Sequence, residues 1–469
     1  MTAKLALPTG DSRAHVNSLL ESAGLTTTGY EPGSRLMRTE LETEGLVLRI
    51  FREKDIPVQV ALGNYDIGIC NDVWLTEQQV RFPLQRVVRL GSLPGPATEV
   101  WLCAAPESGL GEGEVPDPKG LHGVRIVSEL ANLGDLVAVN LRLPAYRLVH
   151  VAGSADAYPP EDAEFALMTA SEVGDIRAKG LVPVTRVFRG GLAVIANADA
   201  LAKKPLASVL ARLAPLFVPE QPELTLARPG KVAMAVGAPR DPDVLRLAVP
   251  DGHAQRHAPG FLRRAGFEFD GYDEKAYVRR PSSNVPGLEV KVVRPQDMPQ
   301  LIAMGMFDLG ISGVDLLHEH KCKFPASPVE MAVDLQINKY RIGPVVEKGF
   351  PADTTPEAVA IWNNLDRPVR VASEFPATAE RFALDQHLRF TTIIPVAGAS
   401  EGFVPEDADF LVEGTETGSS LRANGLKMLD PFMESSSCVI VRNQPVTTQT
   451  ALLHDLVERL RSSVAPPEG

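Results

Sequence analysis

Short apolar runs alternate with amphipathic stretches along the whole chain. Runs of five or six mostly apolar residues, such as 245–249, 288–293 and 307–312, are separated by longer stretches with apolar residues three or four positions apart, such as 376–388. The first pattern is typical of buried strands, and the second is typical of helices that cover a sheet. The alternation predicts an α/β protein in which each lobe is a mostly parallel sheet covered by helices.

The second half of the sequence repeats the first. Residues 7–10 and 55–69 have counterparts displaced by 242 positions, and residues 125–129 and 160–165 have counterparts displaced by 245 positions. A short loop insertion explains the change in displacement. We therefore predict a tandem duplication of one unit, because a repeat of this kind decides the fold before any single motif does.

The duplication sets the predicted domain bounds. The first copy spans 1–217, a Pro-rich linker spans 218–242, and the second copy spans 243–469. Each copy contains two clusters of strand-like and helix-like segments, joined near 94–96 in the first copy and near 343–344 in the second. Two lobes with a cleft between them follow, and ligands of α/β proteins settle at the carboxyl ends of the strands.

Composition and charge narrow the function classes. The chain of 469 residues is 44% hydrophobic and 23% charged, and its formal charge of −12 is spread without a basic stripe for a nucleic-acid backbone. No apolar run approaches the roughly 18 residues of a membrane helix, and the first residues lack a signal-peptide pattern. We expect a cytoplasmic protein without nucleic-acid or membrane partners. Four widely spaced cysteines are expected to be reduced, mostly buried thiols: Cys70, Cys103, Cys322 and Cys438.

A hydroxyl-rich turn in the second copy has the composition of a phosphate-binding loop. It follows the strand-like run 410–412 and precedes a helix-like stretch. Gly418 permits a tight turn, hydroxyl groups offer donors, and free amides at a helix start attract an anion. Two acidic residues before this glycine suit the vicinal hydroxyls of a ribose. The predicted ribose 5-phosphate site consists of Glu413, Thr415, Glu416, Thr417, Gly418, Ser419, Ser420 and Leu421.

A simpler interpretation of the turn is a helix cap formed by Ser419 or Ser420. The first copy bears on this choice, because it keeps the helix-like stretch but changes the chemistry before it. Met168, Val173 and Asp175 stand there in place of Glu413, Gly418 and Ser420. An aspartate can cap a helix but repels a phosphate, so the second copy alone is expected to bind one.

The stretch 412–426, followed by 434–443, resembles the phosphoribosyl-diphosphate loop of ATP phosphoribosyltransferase, the first enzyme of histidine biosynthesis. Two further motifs of that family resemble 294–299 and 308–316, with weaker forms in the first copy. The resemblance covers nearly the whole chain twice. Neither half has the regulatory domain of long-form members, so each is similar to the short-form catalytic unit. The resemblance implies that the chain contains two copies of a two-lobed unit of the periplasmic-binding-protein-like (type II) kind.

The resemblance implies a transferase that joins N1 of ATP to C1 of phosphoribosyl diphosphate and releases pyrophosphate. Mg²⁺ is then carried by the substrate phosphates, and no protein metal site is expected. The adenosine is expected beside Gly313, Asp315 and Leu316, with Phe375 packed on the base. A core aromatic after a strand is the other interpretation of Phe375.

The opening loop departs from the family. Members carry Lys and Arg there, facing the pyrophosphate, whereas residues 8–11 read Pro-Thr-Gly-Asp and residues 250–253 read Pro-Asp-Gly-His. His253 and Arg256 are candidate catalytic replacements in the second copy. The alternative for both is an ordinary solvated loop residue.

A second basic position, which in short-form members reaches across the dimer, falls on Arg35 in the first copy and on Tyr277 in the second. We therefore expect the two halves to pack as the family's dimer does. The second half would supply the substrate cleft, and the first would lend Arg35 to it as a catalytic residue. The alternative for Arg35 is a surface charge.

Three functions stay open at this point. The first is ATP phosphoribosyl transfer, and the second is a non-catalytic small-molecule-binding or regulatory paralogue of that enzyme. The third is phosphoribosyl transfer to a different base, because the loop reports the sugar donor more directly than the acceptor. The expected partners are ATP, phosphoribosyl diphosphate and a separate regulatory subunit, and the pseudo-dimer within the chain can assemble further into a homo-oligomer.

Overall fold

The computed structural model of the protein describes residues 3–41, 46–236 and 240–464. In the first half of the chain the strands are β1 (Ala3–Pro8), β2 (Thr27–Thr28), β3 (Arg38–Leu41), β4 (Leu46–Phe51), β5 (Ile67–Asn71), β6 (Val87–Ser92), β7 (Thr98–Ala104), β8 (His122–Ser128), β9 (Ala145–His150), β10 (Phe165–Ala170), β11 (Val182–Gly190), β12 (Leu192–Asn197) and β13 (Glu223–Leu224). The helices there are α1 (Ser12–Ser22), α2 (Ile56–Ala61), α3 (Asp72–Arg81), α4 (Ala131–Asn140), α5 (Val173–Ala178), α6 (Ala198–Lys203) and α7 (Ala207–Leu213).

Two sheets form the two lobes of the first copy. The first lobe has the strand order β2-β3-β4-β1-β5-β12-β6, and the second lobe has the order β13-β11-β7-β10-β8-β9. The chain leaves the first lobe after β6, builds the second lobe, and returns to the first lobe as β12. Two crossings therefore connect the lobes.

The second half repeats this layout. Its strands are β14 (Leu245–Pro250), β15 (Phe269–Tyr272), β16 (Tyr277–Ser283), β17 (Leu288–Val293), β18 (Leu309–Gly313), β19 (Val329–Asp334), β20 (Tyr340–Glu347), β21 (Val369–Ser373), β22 (Thr391–Pro395), β23 (Phe410–Thr415), β24 (Leu426–Met428), β25 (Met433–Ser435) and β26 (Ser437–Arg442). Its helices are α8 (Ala258–Arg264), α9 (Met298–Ala303), α10 (Val314–Lys323), α11 (Thr355–Trp362), α12 (Pro376–Asp385), α13 (Ser419–Ala423) and α14 (Thr450–Ser462).

The second copy's lobes are sheets with the orders β17-β14-β18-β26-β19 and β22-β21-β23-β20-β24, with β25 beside β20 and β15-β16 as a separate hairpin. A two-lobed α/β unit in tandem duplication is thereby confirmed. The expectation of mostly parallel sheets needs correction, because β4, β1 and β5 pair in parallel whereas β12 runs antiparallel to both of its neighbours. The strand that returns from the other lobe enters the sheet from the opposite end, which makes each sheet mixed.

Helix α12 shows how the pattern along the chain produces an element. Its buried residues are Thr378, Ala379, Phe382 and Ala383, which lie on one face at the spacing of a helix, and Leu384 lies outside that face. Pro376 occupies the first helical position, where its missing N–H costs nothing. The helix covers β21 and β22 and contributes to a core around Trp362 and Phe410.

The predicted linker lies along the first copy. Val218 bridges Ser92, β13 pairs with β11, and Val232 bridges Pro116. Residues 218–236 therefore extend the packing of the first copy, and residues 237–239 of the predicted linker lie outside the described residues. The domain bounds 1–217, 218–242 and 243–469 stay a prediction.

The copies pack head to tail, so that each first lobe contacts the second lobe of the other copy. One apolar core joins the first lobe of the first copy to the second lobe of the second, and another joins the two remaining lobes. Phe51 meets Phe403 in the first of these cores, with ring centroids 4.8 Å apart. The described residues contain no helix long and apolar enough to cross a membrane. Cys70, Cys103 and Cys438 are buried free thiols, and Cys322 is half-buried.

A buried carboxylate, Asp162, joins the copies on one side. Its two oxygens accept hydrogen bonds from Arg246 at 2.7 and 2.8 Å, and Lys291 donates to it at 2.7 Å. Burial alone would raise the pKa of Asp162, but Lys291 and Arg246 lower it to about 2. At the equivalent place on the other side, Asp407 accepts a hydrogen bond from the hydroxyl of Tyr65 at 2.7 Å.

A second pair of carboxylates crosses between the copies with the same symmetry. Asp55 accepts the backbone N–H of Ala397 at 3.0 Å, and Asp297 accepts that of Ala152 at 2.9 Å. Burial raises the pKa of Asp55 to about 6 and that of Asp297 to about 7, and the backbone hydrogen bonds offset this only in part. These contacts support the loops that begin at 397 and at 152.

Replacing Asp162 by Ala should lower the free energy of unfolding by about 3–5 kcal/mol, because Arg246 loses its buried counter-charge and Lys291 keeps only the exposed Glu161. Chemical denaturation of the whole chain measures this. Glu112→Ala, which breaks an exposed ion pair with Arg177, should leave the stability nearly unchanged. Equal losses in the two variants would contradict the interface described above.

Stability should also depend on pH through Asp55 and Asp297. Because folding raises both pKa values, the stabilisation is complete below the unfolded value of about 4 and is lost as the pH rises through about 6 to 7. The double variant Asp55→Asn, Asp297→Asn keeps the acceptor oxygens without the charges. Between about pH 4 and pH 8 its unfolding free energy should gain roughly 3–7 kcal/mol relative to the wild type, because both carboxyl groups bind their proton more tightly in the folded chain. Parallel pH profiles of the two proteins would refute this assignment.

Candidate functional site

The two lobes of the second copy enclose a cleft of about 310 Å³. The opening loop after β14, the start of α9, the start of α10, and the loop before α12 form its walls. Five of the predicted site residues line it: His253, Gly313, Asp315, Leu316 and Phe375. Side chains that the sequence analysis did not single out also line it, among them Arg294, Tyr340 and Glu374.

The start of α10 needs glycine at 313. Gly313 is the N-cap residue, and a Cβ there would collide with the Oδ1 atom of Asp315. That carboxylate is buried and accepts a hydrogen bond of 2.6 Å from the hydroxyl of Ser435, which in turn accepts the N–H of Asp315. The corresponding residues of the first copy are Asn71 and Val73, so only the second copy presents a carboxylate here.

The predicted phosphate loop forms a tight turn between β23 and α13. Gly418 is the N-cap residue with a φ of 69°, a left-handed conformation that a β-branched residue adopts only with strain. The hydroxyl of Thr415 accepts the N–H of Gly418 at 2.9 Å and holds the turn in shape. Within the described residues, the N–H groups of Glu416 and Thr417 have no hydrogen-bond acceptor. The loop can therefore bind an anion through its backbone.

The loop adjoins the cleft at an acidic end. The ring of Tyr340, which lines the cleft, packs over Gly414, where a Cβ would approach it to 2.7 Å. Glu413 accepts the hydroxyl hydrogen bond of Ser400. Burial, together with repulsion by Glu374, raises the pKa of Glu413 to about 8. The pKa of Glu374 is also raised by burial, although Arg52 of the first copy lowers it in part.

The same loop in the first copy is filled by its own side chain. Helix α5 begins at Val173, one position earlier than its counterpart α13, because valine does not adopt the left-handed conformation of Gly418. The carboxylate of Asp175 then accepts the N–H groups of Ser171 and Glu172 at 2.9 and 3.2 Å. These amides correspond to those of Glu416 and Thr417. An internal carboxylate thus takes the position that an external anion would need.

The cleft of the first copy is also occupied at the end that corresponds to the acidic end of the second. A cavity of about 80 Å³ remains there, lined by residues that include Glu129, Met168 and Lys179. Arg279 enters from the second copy and donates to Asp156 at 3.0 Å and to the hydroxyl of Ser154 at 2.9 Å. Met168 replaces the carboxylate that the second copy has at Glu413. The two clefts therefore differ in charge at this end.

A cluster around Asp251 replaces the basic opening loop in the second copy. Asp251 is buried, and its oxygens lie 3.3 Å from Nη1 of Arg294 and 3.6 Å from Nη1 of Arg279. The Nε atom of Arg294 is buried without a hydrogen-bond partner among the described residues. Sequence reasoning missed Arg294, although the arginine that opens the motif 294–299 is kept in both copies, as Arg52 and Arg294.

The three predicted catalytic residues lie at different distances from the cleft. His253 lines the cleft, whereas Arg256 is exposed on the turn after it. Arg35 is exposed, and its carbonyl accepts a hydrogen bond of 3.4 Å from the side chain of Asn424, at the end of α13. The N–H of Met37 donates to the same side chain at 2.8 Å. The loop before β3 that carries Arg35 therefore contacts the helix that follows the phosphate loop.

No cluster of three or more His, Cys, Asp or Glu side chains with the arrangement of a metal site occurs in the ranges 3–41, 46–236 and 240–464. The loop and the acidic end supply carboxylates, hydroxyls and backbone amides, which are groups that can bind a phosphorylated sugar. The ten residues concerned are Glu374, Ser400, Glu413, Gly414, Thr415, Glu416, Thr417, Gly418, Ser419 and Ser420.

Comparison with protein-family models finds one match. The model described as HisG, ATP phosphoribosyltransferase, matches residues 52–215 and again residues 294–462, together well over half of the chain. Each match begins at an arginine that was named above, Arg52 or Arg294.

Curated relatives carry the same description. An ATP phosphoribosyltransferase of Chlorobium chlorochromatii is 33% identical over 202 residues, which are 43% of this chain and 64% of the relative, so slightly less than two thirds of that relative is covered. One from Leptothrix cholodnii is 29% identical over 224 residues, which are 47% of this chain and 99% of the relative. One copy of the chain therefore corresponds to the full length of a short relative.

Some solved structures are similar to about half of the chain. The ATP phosphoribosyl transferase (HisG:HisZ) complex from Thermotoga maritima matches 47% of this chain and 98% of its own, with 23% identity and a TM-score of 0.38. The ancestral amino acid-binding protein AncCDT-1 matches 47% of this chain and 89% of its own, with 16% identity and a TM-score of 0.31.

Proposed function

Because the chain belongs to the ATP phosphoribosyltransferase family, we propose that its second copy transfers the phosphoribosyl group of phosphoribosyl diphosphate to ATP. A bond forms between N1 of the adenine and C1 of the sugar, while the bond from C1 to the diphosphate oxygen breaks and pyrophosphate leaves. The reaction needs two substrates held in line and cations near the leaving group. It is the first step of histidine biosynthesis, and we propose that it takes place in the cytoplasm.

One observation carries this proposal: the amides of the loop around Gly418 are available to an anion, whereas Asp175 takes the equivalent amides of the first copy. We assign the 5-phosphate of the donor to the loop 415–421. Glu413 and Glu374 then face the ribose hydroxyls, since carboxylates accept hydrogen bonds from vicinal hydroxyls. The adenosine lies between Asp315, Leu316 and Phe375.

The leaving group needs positive charge, and the opening loop does not supply it. Arg294 lines the cleft, and its Nη1 atom lies 3.3 Å from Asp251. We propose that Arg294 and His253 contact the pyrophosphate. We propose further that Arg35 of the first copy contributes positive charge near the same group. The exposed position of Arg256 supports a smaller part for that residue.

Mg²⁺ would be bound mainly by the substrate. This ion prefers oxygen ligands and keeps several waters beside phosphates. The carboxylates of Glu374 and Glu413 supply suitable oxygens at the sugar end, and we propose that the ion travels on the diphosphate. A separate regulatory subunit and a homo-oligomer above the pseudo-dimer are further proposals, supported by the match of one copy to a full short relative.

A non-catalytic binding or regulatory protein is the second candidate, and the buried Asp251 favours it. A carboxylate stands where family members carry a lysine, so the leaving group would meet less positive charge. Transfer to a base other than adenine is the third. Pyrophosphate release with ATP, compared with release with other purine nucleotides, separates the three.

The variant Gly418→Val should lower kcat/KM for pyrophosphate release by about 100-fold or more, because valine distorts the turn that presents the amides. Coupled detection of pyrophosphate measures this. Gly425→Val is the matched control, since Gly425 has the same φ of 69° and its added side chain meets no neighbour. Equal activity losses in both variants would mean that backbone strain alone, not phosphate binding, explains the effect.

The variant Arg35→Ala should lower kcat by about 30- to 150-fold, which corresponds to a loss of about 2–3 kcal/mol of transition-state stabilisation. Steady-state kinetics with both substrates saturating measure this. Arg86→Ala removes another exposed arginine of the first copy, paired with Asp199, and should leave kcat unchanged. If the protein is active and Arg35→Ala leaves its kcat unchanged, a catalytic contribution from the first copy is excluded.

A further inference from the structure

In the second copy one glutamate ties the two lobes together beside the cleft. Glu319 lies on α10, which belongs to the first lobe. Its two oxygens accept the N–H groups of Ala377 at 3.0 Å and Thr378 at 2.7 Å, in the first turn of α12 of the second lobe. Both hydrogen bonds are charge-assisted, and the carboxylate lies at the positive end of the helix.

The first copy contains the same clamp. Glu77 on α3 accepts the N–H groups of Asn132 at 2.8 Å and Leu133 at 2.9 Å, in the first turn of α4. Burial raises the pKa of Glu77, and the two backbone hydrogen bonds lower it again in part. Glu77 and Glu319 are displaced by the 242 positions of the repeat, so the clamp is a feature of the duplicated unit.

In the second copy this clamp holds both walls of the adenosine end. Asp315 and Leu316 lie one turn before Glu319 on α10, and Phe375 is the N-cap residue of α12. All three line the cleft. The distance between the two walls is therefore fixed through a pair of hydrogen bonds that join the helices within one turn of these residues.

We propose that Glu319 is a positioning residue that sets the spacing between Asp315 and Phe375 and thereby the affinity for the adenine nucleotide. The assignment of the nucleotide rests on the proposed function. The clamp in the first copy has no such role, because Val73 and Leu130 stand where the second copy has Asp315 and Phe375. Glu77 therefore provides a control with the same chemistry and the same cost to stability.

The experiment compares Glu319→Gln with Glu77→Gln in the full chain. Glutamine keeps the length of the side chain but removes the charge and one acceptor oxygen. Glu319→Asp is a milder third variant, which keeps the charge but shortens the reach. Hydrogen exchange is followed at the starts of α12 and α4, ATP binding by calorimetric titration, and kcat and KM by pyrophosphate release.

Glu319→Gln should speed exchange at 377–378 by about tenfold and raise both the Kd and the KM for ATP by about tenfold, with kcat at saturation nearly unchanged. Glu77→Gln should speed exchange at 132–133 to the same extent and leave ATP binding as in the wild type. Glu319→Asp should fall between the wild type and Glu319→Gln.

Faster exchange without weaker ATP binding in Glu319→Gln would overturn the positioning role while leaving the proposed function intact. Weaker binding of equal size in Glu77→Gln would also overturn it, since the effect would then come from general destabilisation. A wild type that binds no ATP would refute the proposed function and the positioning role together.

Discussion

Buried carboxylates cross between the copies and hold them head to tail. Asp55 and Asp297 each accept a backbone N–H from the opposite copy, and Asp162 binds Arg246 and Lys291 across the same boundary. Such groups are costly to bury, and the contact persists because each charge meets a donor in the other copy. The loops that they hold lead directly to the sugar ends of the two clefts. The geometry of each cleft therefore depends on the copy that does not contain it.

This dependence lets the two copies diverge. The second copy retains a loop with available amides, a carboxylate at Glu413 and a cleft of about 310 Å³. The first copy fills the equivalent loop with Asp175 and receives Arg279 at its sugar end. A copy that no longer needs a ligand can stabilise itself with such internal contacts, since a carboxylate on free amides is stabilising at a helix start. The first copy then serves as a support for the second and as a source of charged side chains.

Much of the fold was predictable, because the repeat and the alternation of apolar runs lie in the sequence itself. The prediction failed for the strand directions: whether β12 runs parallel or antiparallel depends on how the chain returns from the other lobe, and no local pattern records that. The contrast between Gly418 and Val173 was visible in the sequence and leads directly to the loop. By contrast, the contact of Arg279 with Asp156 joins residues 123 positions apart and requires the packing of the copies. Arg294 lies in the motif 294–299, but its approach to Asp251 follows from the pairing of β14 with β17, which no local pattern records.

We propose that one chain, although built from two copies, binds one donor sugar. Calorimetric titration of the full chain with phosphoribosyl diphosphate and Mg²⁺ tests it most directly, because the stoichiometry counts the working loops. We expect one molecule bound per chain. Two molecules per chain, or a single site that persists when the loop around Gly418 is disrupted, would contradict it.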